Sequence, residues 1–295
     1  MSALAALRPP AGLDAVPEFD RGWRIDGALQ PFLSYEQVAD LNWSAELEEL
    51  HEESSRTHFI DVLTRWALMR GIREALKPGA LIFDVGCSSG YLLADLRQAQ
   101  PAATTVGIDL VPEGLRRAYA EVPDAPLLLA DCLALPIEDA AADAIVSANV
   151  LEHVADDEGA LREMHRILRP GGVAAVVVPA GPGVYDAYDE HLGHERRYAR
   201  HELARKGEAA GLEVLQDAYL GSIVFPPFWL TKKINRRRHR NLTEAQRQEL
   251  VERSIERTQG SRLGDAASAI ERRLLTRGKT IPFGIRSLAV FRRPA

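Results

Sequence analysis

The stretch FDVGCSSGYL, residues 83–92, decides how this chain is read. An apolar run ends in an acid, and Gly86 and Gly90 follow with three residues between them. Strand, glycine turn and helix in this order mark the carboxyl end of a parallel strand, where open α/β sheets bind ligands. A Walker loop needs Lys-Ser/Thr after its second glycine, and Tyr91-Leu92 stands there instead. The dinucleotide fingerprint G-x-G-x-x-G is not matched either. Asp84 would repel a pyrophosphate and suits a ligand that carries positive charge.

Working outward, short apolar runs recur at 80–85, 104–110, 127–130, 143–149 and 173–179, with helical stretches at 90–99, 113–120 and 157–168 between them. Runs apolar on both faces and joined by helices predict an α/β fold, a parallel sheet covered on both sides. A helix at 200–210, a strand at 212–220 and a last strand in SLAVFRRP follow. Before the core, the spacing predicts an irregular arm over 1–55 with a short helix near 44–54, then a helix over 56–76. The division expected is 1–77 as an arm and helix covering the cleft, 78–221 with 285–295 as the core, and 222–284 as a helical cap inserted before the last strand.

Two more acids close strands. Asp109, 19 residues past Gly90, can accept both hydroxyl protons of a ribose. Asp131 in LLLADCLALP can take an adenine amine while the Cys132 N–H meets a ring nitrogen. Ammonium, ribose and adenine without phosphate describe S-adenosylmethionine (SAM). FDVGCSSGYL, GIDL, LLLADCLALPIEDAAADAIVSANVLEHVADDEGALREMHRILRPGG and VAAVVVPA together resemble the consecutive motifs of class I SAM-dependent methyltransferases. The ubiquinone/menaquinone-type enzymes that methylate small molecules are the nearest kin in this resemblance, which runs from about 78 to 220. It implies a Rossmann-like, seven-stranded, mostly parallel sheet with helices on both faces. It also implies roles: Asp84 and Gly86, with Cys87 in the same turn, for the amino-acid part of SAM, and Gly90 for close packing at the helix start. Asp109 and Leu110 go to the ribose, Asp131 and Cys132 to the adenine, and Asn149 near the sulfonium. Ser88 departs from the family, which usually has its middle glycine there.

The stretch YDAYDEHLGHERRYARHEL, 185–203, follows the fifth core strand and faces the methyl group in this architecture. His194 and His191 are its candidate bases, with His153 of NVLEHVAD as a further choice, because imidazole accepts a proton near neutral pH. Arg196, Arg197 and Tyr198 have a structural reading, as a lock on the loop through Asp186, Asp189 or Glu190. Asp189, His191 and His194 match no strong metal signature, so no metal is expected.

The net charge of −6 hides an asymmetry. Residues 222–295 carry 17 basic and 6 acidic side chains, a net of +11, against −17 for the rest. The acidic body argues against nucleic acid as a partner, while the basic segment leaves peripheral membrane contact through 221–240 open beside a substrate lid. Cys87 and Cys132 are too few for a disulfide framework, and the start lacks a signal-peptide pattern; both suit a cytoplasmic protein. Arg outnumbers Lys 31 to 5, which suggests a GC-rich bacterial genome. The reading is a methyltransferase of a small-molecule acceptor in specialised biosynthesis, with oxygen or nitrogen favoured over carbon. The rivals are a lipid- or isoprenoid-linked acceptor and a SAM-fold protein with non-methyl chemistry.

Overall fold

The computed structural model describes residues 3–35, 56–238, 260–279 and 281–295. The short helix expected near 44–54, and the helix expected over 243–259, lie outside these residues.

Alternation within one strand explains the layers. Leu81, Phe83 and Val85 of β5 (Leu81–Val85) join one apolar cluster while Ile82 joins another on the opposite face. A strand buried on both faces needs helices on both, and the sequence supplies them. The first cluster takes in Ala160, Leu161, Met164 and Ile167 of one helix (Asp157–Ile167) and Leu203 of another (Glu202–Ala209). The second takes in Ile60, Leu63, Ala67 and Leu68 of the helix α1 (Phe59–Gly71) and Leu92 and Leu96 of α2 (Tyr91–Ala99).

The main sheet begins with β4 (Leu33–Ser34) and continues through β5, β6 (Thr104–Asp109), β7 (Leu127–Leu129), β8 (Ala142–Ala148) and β9 (Leu168–Pro179), ending with β10 (Glu213–Leu220) and β11 (Arg286–Arg292). Its order is β10-β11-β9-β8-β5-β6-β7-β4. The strands from β9 to β4 pair in parallel, and β11 runs antiparallel between β9 and β10. All seven strands expected from the sequence are present. The eighth, β4, comes from the arm.

The arm is more regular than its sequence suggests. β1 (Glu18–Phe19), β2 (Trp23–Ile25) and β3 (Ala28–Gln30) form a small antiparallel sheet, and β4 extends the main sheet beyond β7. Strands of two or three residues carry no readable alternation, which is why they are invisible in the sequence. What holds them is tertiary: Trp23 is fully buried, and its indole N–H donates to the Leu127 carbonyl at 2.9 Å.

The helix expected to cover the cleft is instead a layer of the core. The body of α1 packs on β8, β9 and β10 because Ile60, Leu63, Ala67 and Leu68 form one buried stripe. Only its first turn reaches the strand ends, where Asp61 pairs with Arg286 at 2.6 Å. The later helix of the insertion, Arg262–Thr276, in turn packs on α1. It does so through Gly264, Ala267, Ser268, Glu271 and Leu275. The sequence spacing also predicts a helix over 262–277 with Ala266, Ile270 and Leu274 on its packing side, but that stripe is rotated away, with Ile270 half exposed. Gly264 decides the rotation, since a Cβ there would come within 2.5 Å of the Phe59 ring.

Because Trp23 fills the sheet edge, Trp23→Ala should cost about 3–5 kcal/mol, and Trp23→Phe about 1 kcal/mol for the lost hydrogen bond. Urea denaturation checks both. A Trp23→Ala protein of near-native stability would mean that the arm is dispensable to the core.

Candidate active site

In the strand order, β5 is the point of reversal, with β6 and β7 on one side and β8 and β9 on the other. The carboxyl ends of β5 and β8 therefore border the crevice that this topology opens.

Asp84, near the end of β5, is almost wholly buried, and its Oδ2 accepts no hydrogen bond. Burial, with the nearby Asp109 charge, pushes its carboxyl up to about 8. Gly86 has φ of 81°, and a Cβ added there would stand 2.0 Å from Cγ2 of Val150. Only glycine fits this turn. Ser88 also has positive φ, 44°, which accounts for the family's usual glycine there. Its backbone N–H donates to Oδ2 of Asp109 at 2.8 Å. The other oxygen of Asp109 accepts from the Val111 N–H at 2.9 Å. Asp109 thus ties the glycine turn to the start of α3 (Pro112–Glu121), a duty its sequence position did not reveal.

The remaining residues assigned to the cofactor stand in a row along neighbouring strands. Asn149 follows β8 with φ of 55° and donates its N–H to the Val177 carbonyl. Gly90 caps α2 with a left-handed φ of 81°. Leu110 follows Asp109, half-buried. Beyond β7, Asp131 accepts from the Leu133 N–H at 2.8 Å, beside Cys132. Burial first, then Asp131, pushes the Cys132 thiol up to about 12, so it is a packing thiol. Cys87 is equally buried. A buried carboxyl oxygen lacking a hydrogen bond, a turn with no room for a side chain and two further acids at strand ends fit SAM, an extended ligand with an ammonium, a ribose and an adenine.

The second half of the site is the loop after β9. Asp186 caps the short helix α5 (Ala187–His191, the helices of 157–167 and 202–209 being α4 and α6) and forms a capping box with Asp189. Asp189 is fully buried and accepts from Arg197 Nε at 2.7 Å, and its Oδ1 lies 3.0 Å from His194 Nδ1. Burial alone would raise the Asp189 carboxyl, but the His194 hydrogen bond and the Arg197 and Lys232 charges hold it well below the usual range. An ionised Asp189 fixes the His194 proton on Nδ1 and leaves Nε2 as the open nitrogen. The His194 and His153 rings meet edge to face at 4.8 Å. Glu152, His153 and His194 present ligand-type atoms within 4.8 Å of one another. A tetrahedral zinc bound at about 2.0–2.1 Å would draw such atoms to roughly 3.4 Å. His191, at the end of α5, is not among the three.

Arg197 locks the loop through Asp189 as its sequence suggested, whereas Arg196 and Tyr198 reach Asp157 on α4 and not Asp186, Asp189 or Glu190. Asp157 collects the Tyr198 hydroxyl at 2.6 Å, Lys206 at 2.7 Å and Arg196 at 3.1 Å. Two further buried side chains stand among these groups: Glu152, which NVLEHVAD offers beside His153 as part of the pocket wall, and Lys232, which the sequence reading missed. Glu152 is wholly buried with no hydrogen bond to either carboxylate oxygen. Lys232, from the inserted helix α7 (Phe225–Arg238), is buried with Nζ 2.6 Å from Asp186 and 3.7 Å from Asp189. Its neighbours in a basic run give no hint that it turns inward.

Residues 83–176 match the family model described as a methyltransferase domain. Over 118 residues the chain is 39% identical to the demethylmenaquinone methyltransferase of Thermus thermophilus, covering 38% of this chain and 53% of that protein. Over 143 residues it is 33% identical to the human protein called probable tRNA methyltransferase 9B, covering 46% of this chain and 30% of that one. The chain thus spans about half or less of the curated relatives it matches. Geranyl diphosphate C-methyltransferase from Streptomyces coelicolor A3(2) shares the fold, with a TM-score of 0.54 at 15% identity over 85% of this chain and 81% of that one. Residues 83–176 thus form a methyltransferase domain, and SAM is the cofactor of that domain. No described helix is long and apolar enough to cross a membrane.

Burial, only partly offset by His194, pushes Glu152 up to about 7. The folded state therefore holds a proton that the unfolded chain releases near pH 4.5, and stability falls as pH rises from there to about 7. Glu152→Gln should match the parent at pH 4 and exceed it by about 3 kcal/mol above pH 8. A melting-temperature gap that does not change with pH would contradict this.

Proposed function

We propose that this protein transfers the methyl group of SAM to an oxygen or nitrogen of a small-molecule acceptor. The observation that carries the reading is the Asp189–His194 pair beside Glu152 and His153, just past the end of β8. When bound, the cofactor supplies an electrophilic methyl group on a sulfonium. Asp84 and the 86–90 turn receive its amino-acid part, Asp109 and Leu110 its ribose, and Asp131 with Cys132 its adenine. Asn149, held in a left-handed conformation at the strand end, lines the pocket near the reacting carbon.

On the acceptor side, His194 takes the proton of a hydroxyl or ammonium at Nε2, while ionised Asp189 stabilises the imidazolium that forms. His153 packs on the His194 ring and limits its rotation. His191 stays a candidate base of second rank. The inserted helix α7 acts as the cover of the acceptor side, with Lys232 anchoring it to the 186–189 turn. The tRNA methyltransferase relative makes a nucleic-acid acceptor the alternative substrate class, which the −17 charge of residues 1–221 disfavours.

Two substitutions test this division of labour. Asp109→Asn should weaken SAM binding at least tenfold by calorimetry, as the loss of a charged hydrogen-bond partner (about 1.5–3 kcal/mol) implies. His194→Gln should lower kcat by roughly 10²–10⁴ with SAM affinity held. Labelled SAM incubated with cell extract supplies the acceptor for the rate assay. If no label reaches any product, the fold serves non-methyl chemistry. Full turnover in His194→Gln would leave positioning alone as the mechanism.

A further inference from the structure

Helix α7 is inside out. Its protein-facing side carries Phe225, Phe228 and the buried Lys232, which pairs with Asp186. Phe225 stacks near Phe283 at 5.5 Å, and Phe228 lies under the Arg197 guanidinium at 5.8 Å. The opposite side is apolar and open: Trp229 is 39% exposed, Leu230 55% and Ile234 42%. Ile223, just before the helix, is also exposed. Pro226 and Pro227 are exposed as well. A surface helix ordinarily turns its apolar stripe inward, so contiguous exposed Trp, Leu and Ile on one helix mark a contact surface.

The charge beside this patch selects the partner. No acidic residue occurs from 218 to 243, and Lys233, Arg236, Arg237, Arg238 and Arg240 follow the apolar residues directly. Lys233 is exposed, its ammonium 4.2 Å above the Trp229 ring. A nucleic-acid backbone would meet the cations but offer nothing to Leu230 and Ile234. An anionic bilayer meets both, with hydrocarbon for the apolar side chains and phosphates for the basic ones. Trp229 with Lys233 above it is the pairing that suits the headgroup boundary.

We propose that the outer face of α7 docks on an anionic lipid surface. The inner face of the same helix anchors the 186–189 turn whose Asp189 sets His194, so docking turns the acceptor side of the cleft toward the bilayer. Resting on the methyl-transfer reading above, this makes the acceptor an amphiphile, its hydroxyl- or amine-bearing head entering the cleft while its apolar part stays in the membrane.

The test uses the full chain with sedimenting vesicles of phosphatidylcholine alone or mixed with phosphatidylglycerol. The protein should pellet with the mixed vesicles and stay in solution with the neutral ones. Leu230→Glu with Ile234→Glu should cut vesicle binding at least tenfold, and Lys233→Glu by a smaller factor. Calorimetry with SAM should give the same affinity for parent and variants, which separates lost docking from a damaged core. Label transfer from SAM to detergent-solubilised cell extract tests the methyl-transfer reading independently of docking. The proposal is overturned if the parent binds neither vesicle, or if the double variant binds as well as the parent. It is equally overturned if light scattering shows a dimer that the double variant dissociates, since a second copy then covers the face.

Discussion

A carboxyl group buried at the end of the central strand is the constraint on which the rest of this molecule turns. Asp84 lies where β5 meets the crevice, next to a second acid, Asp109, at the end of the adjoining strand. Burying an acid without a full set of partners costs free energy. The fold accepts that cost within a sheet whose other strands are close to fully apolar. Everything around the position serves to keep it there: the glycine turn pressed on Val150, the Asp109 bonds to Ser88 and Val111, and the helix start packed on Ala118. A cationic ligand is what such a cleft lacks.

The acceptor half is built on the opposite principle. There Asp157, Asp186 and Asp189 are paired with cations, and Glu152 beside them is the exception. Asp157 ties α4, the 196–198 segment and α6 together, and Asp189 binds one loop to itself through His194 and Arg197. Lys232 adds the inserted helix to the same centre. Buried ion pairs of this kind fix geometry more than they add stability. The consequence is a histidine whose ring is held by Asp189 beside Glu152 and His153.

Much of this was legible in the sequence, and the reason is local. The core strands are apolar on both faces and end in acids or glycines, so the alternation from residue 80 to 220 and the acids at the strand ends could be read one element at a time. The arm and the insertion could not. β1 to β4 are too short for any period to show, and Trp23 finds its place only because Leu127 offers a carbonyl 104 residues away. The rotation of the 262–276 helix depends on Gly264 meeting Phe59, and the inward turn of Lys232 on two acids far back in the chain. Both are long-range contacts with no signature of their own. Glu152 sat in plain view in NVLEHVAD, but its isolation from hydrogen bonds is a property of packing alone.

The account's central claim is that the buried Asp84 awaits a cation, and the proton balance of SAM binding tests it most directly. With its carboxyl pushed up to about 8, Asp84 holds a proton at pH 7 in the free protein, and an ammonium placed beside it favours the ionised form. Calorimetry at pH 7 in buffers of differing ionisation enthalpy should therefore report close to one proton released per SAM bound. The release should vanish at pH 9 and in Asp84→Asn. Binding with no proton release at pH 7, or release that persists in Asp84→Asn, would contradict the claim.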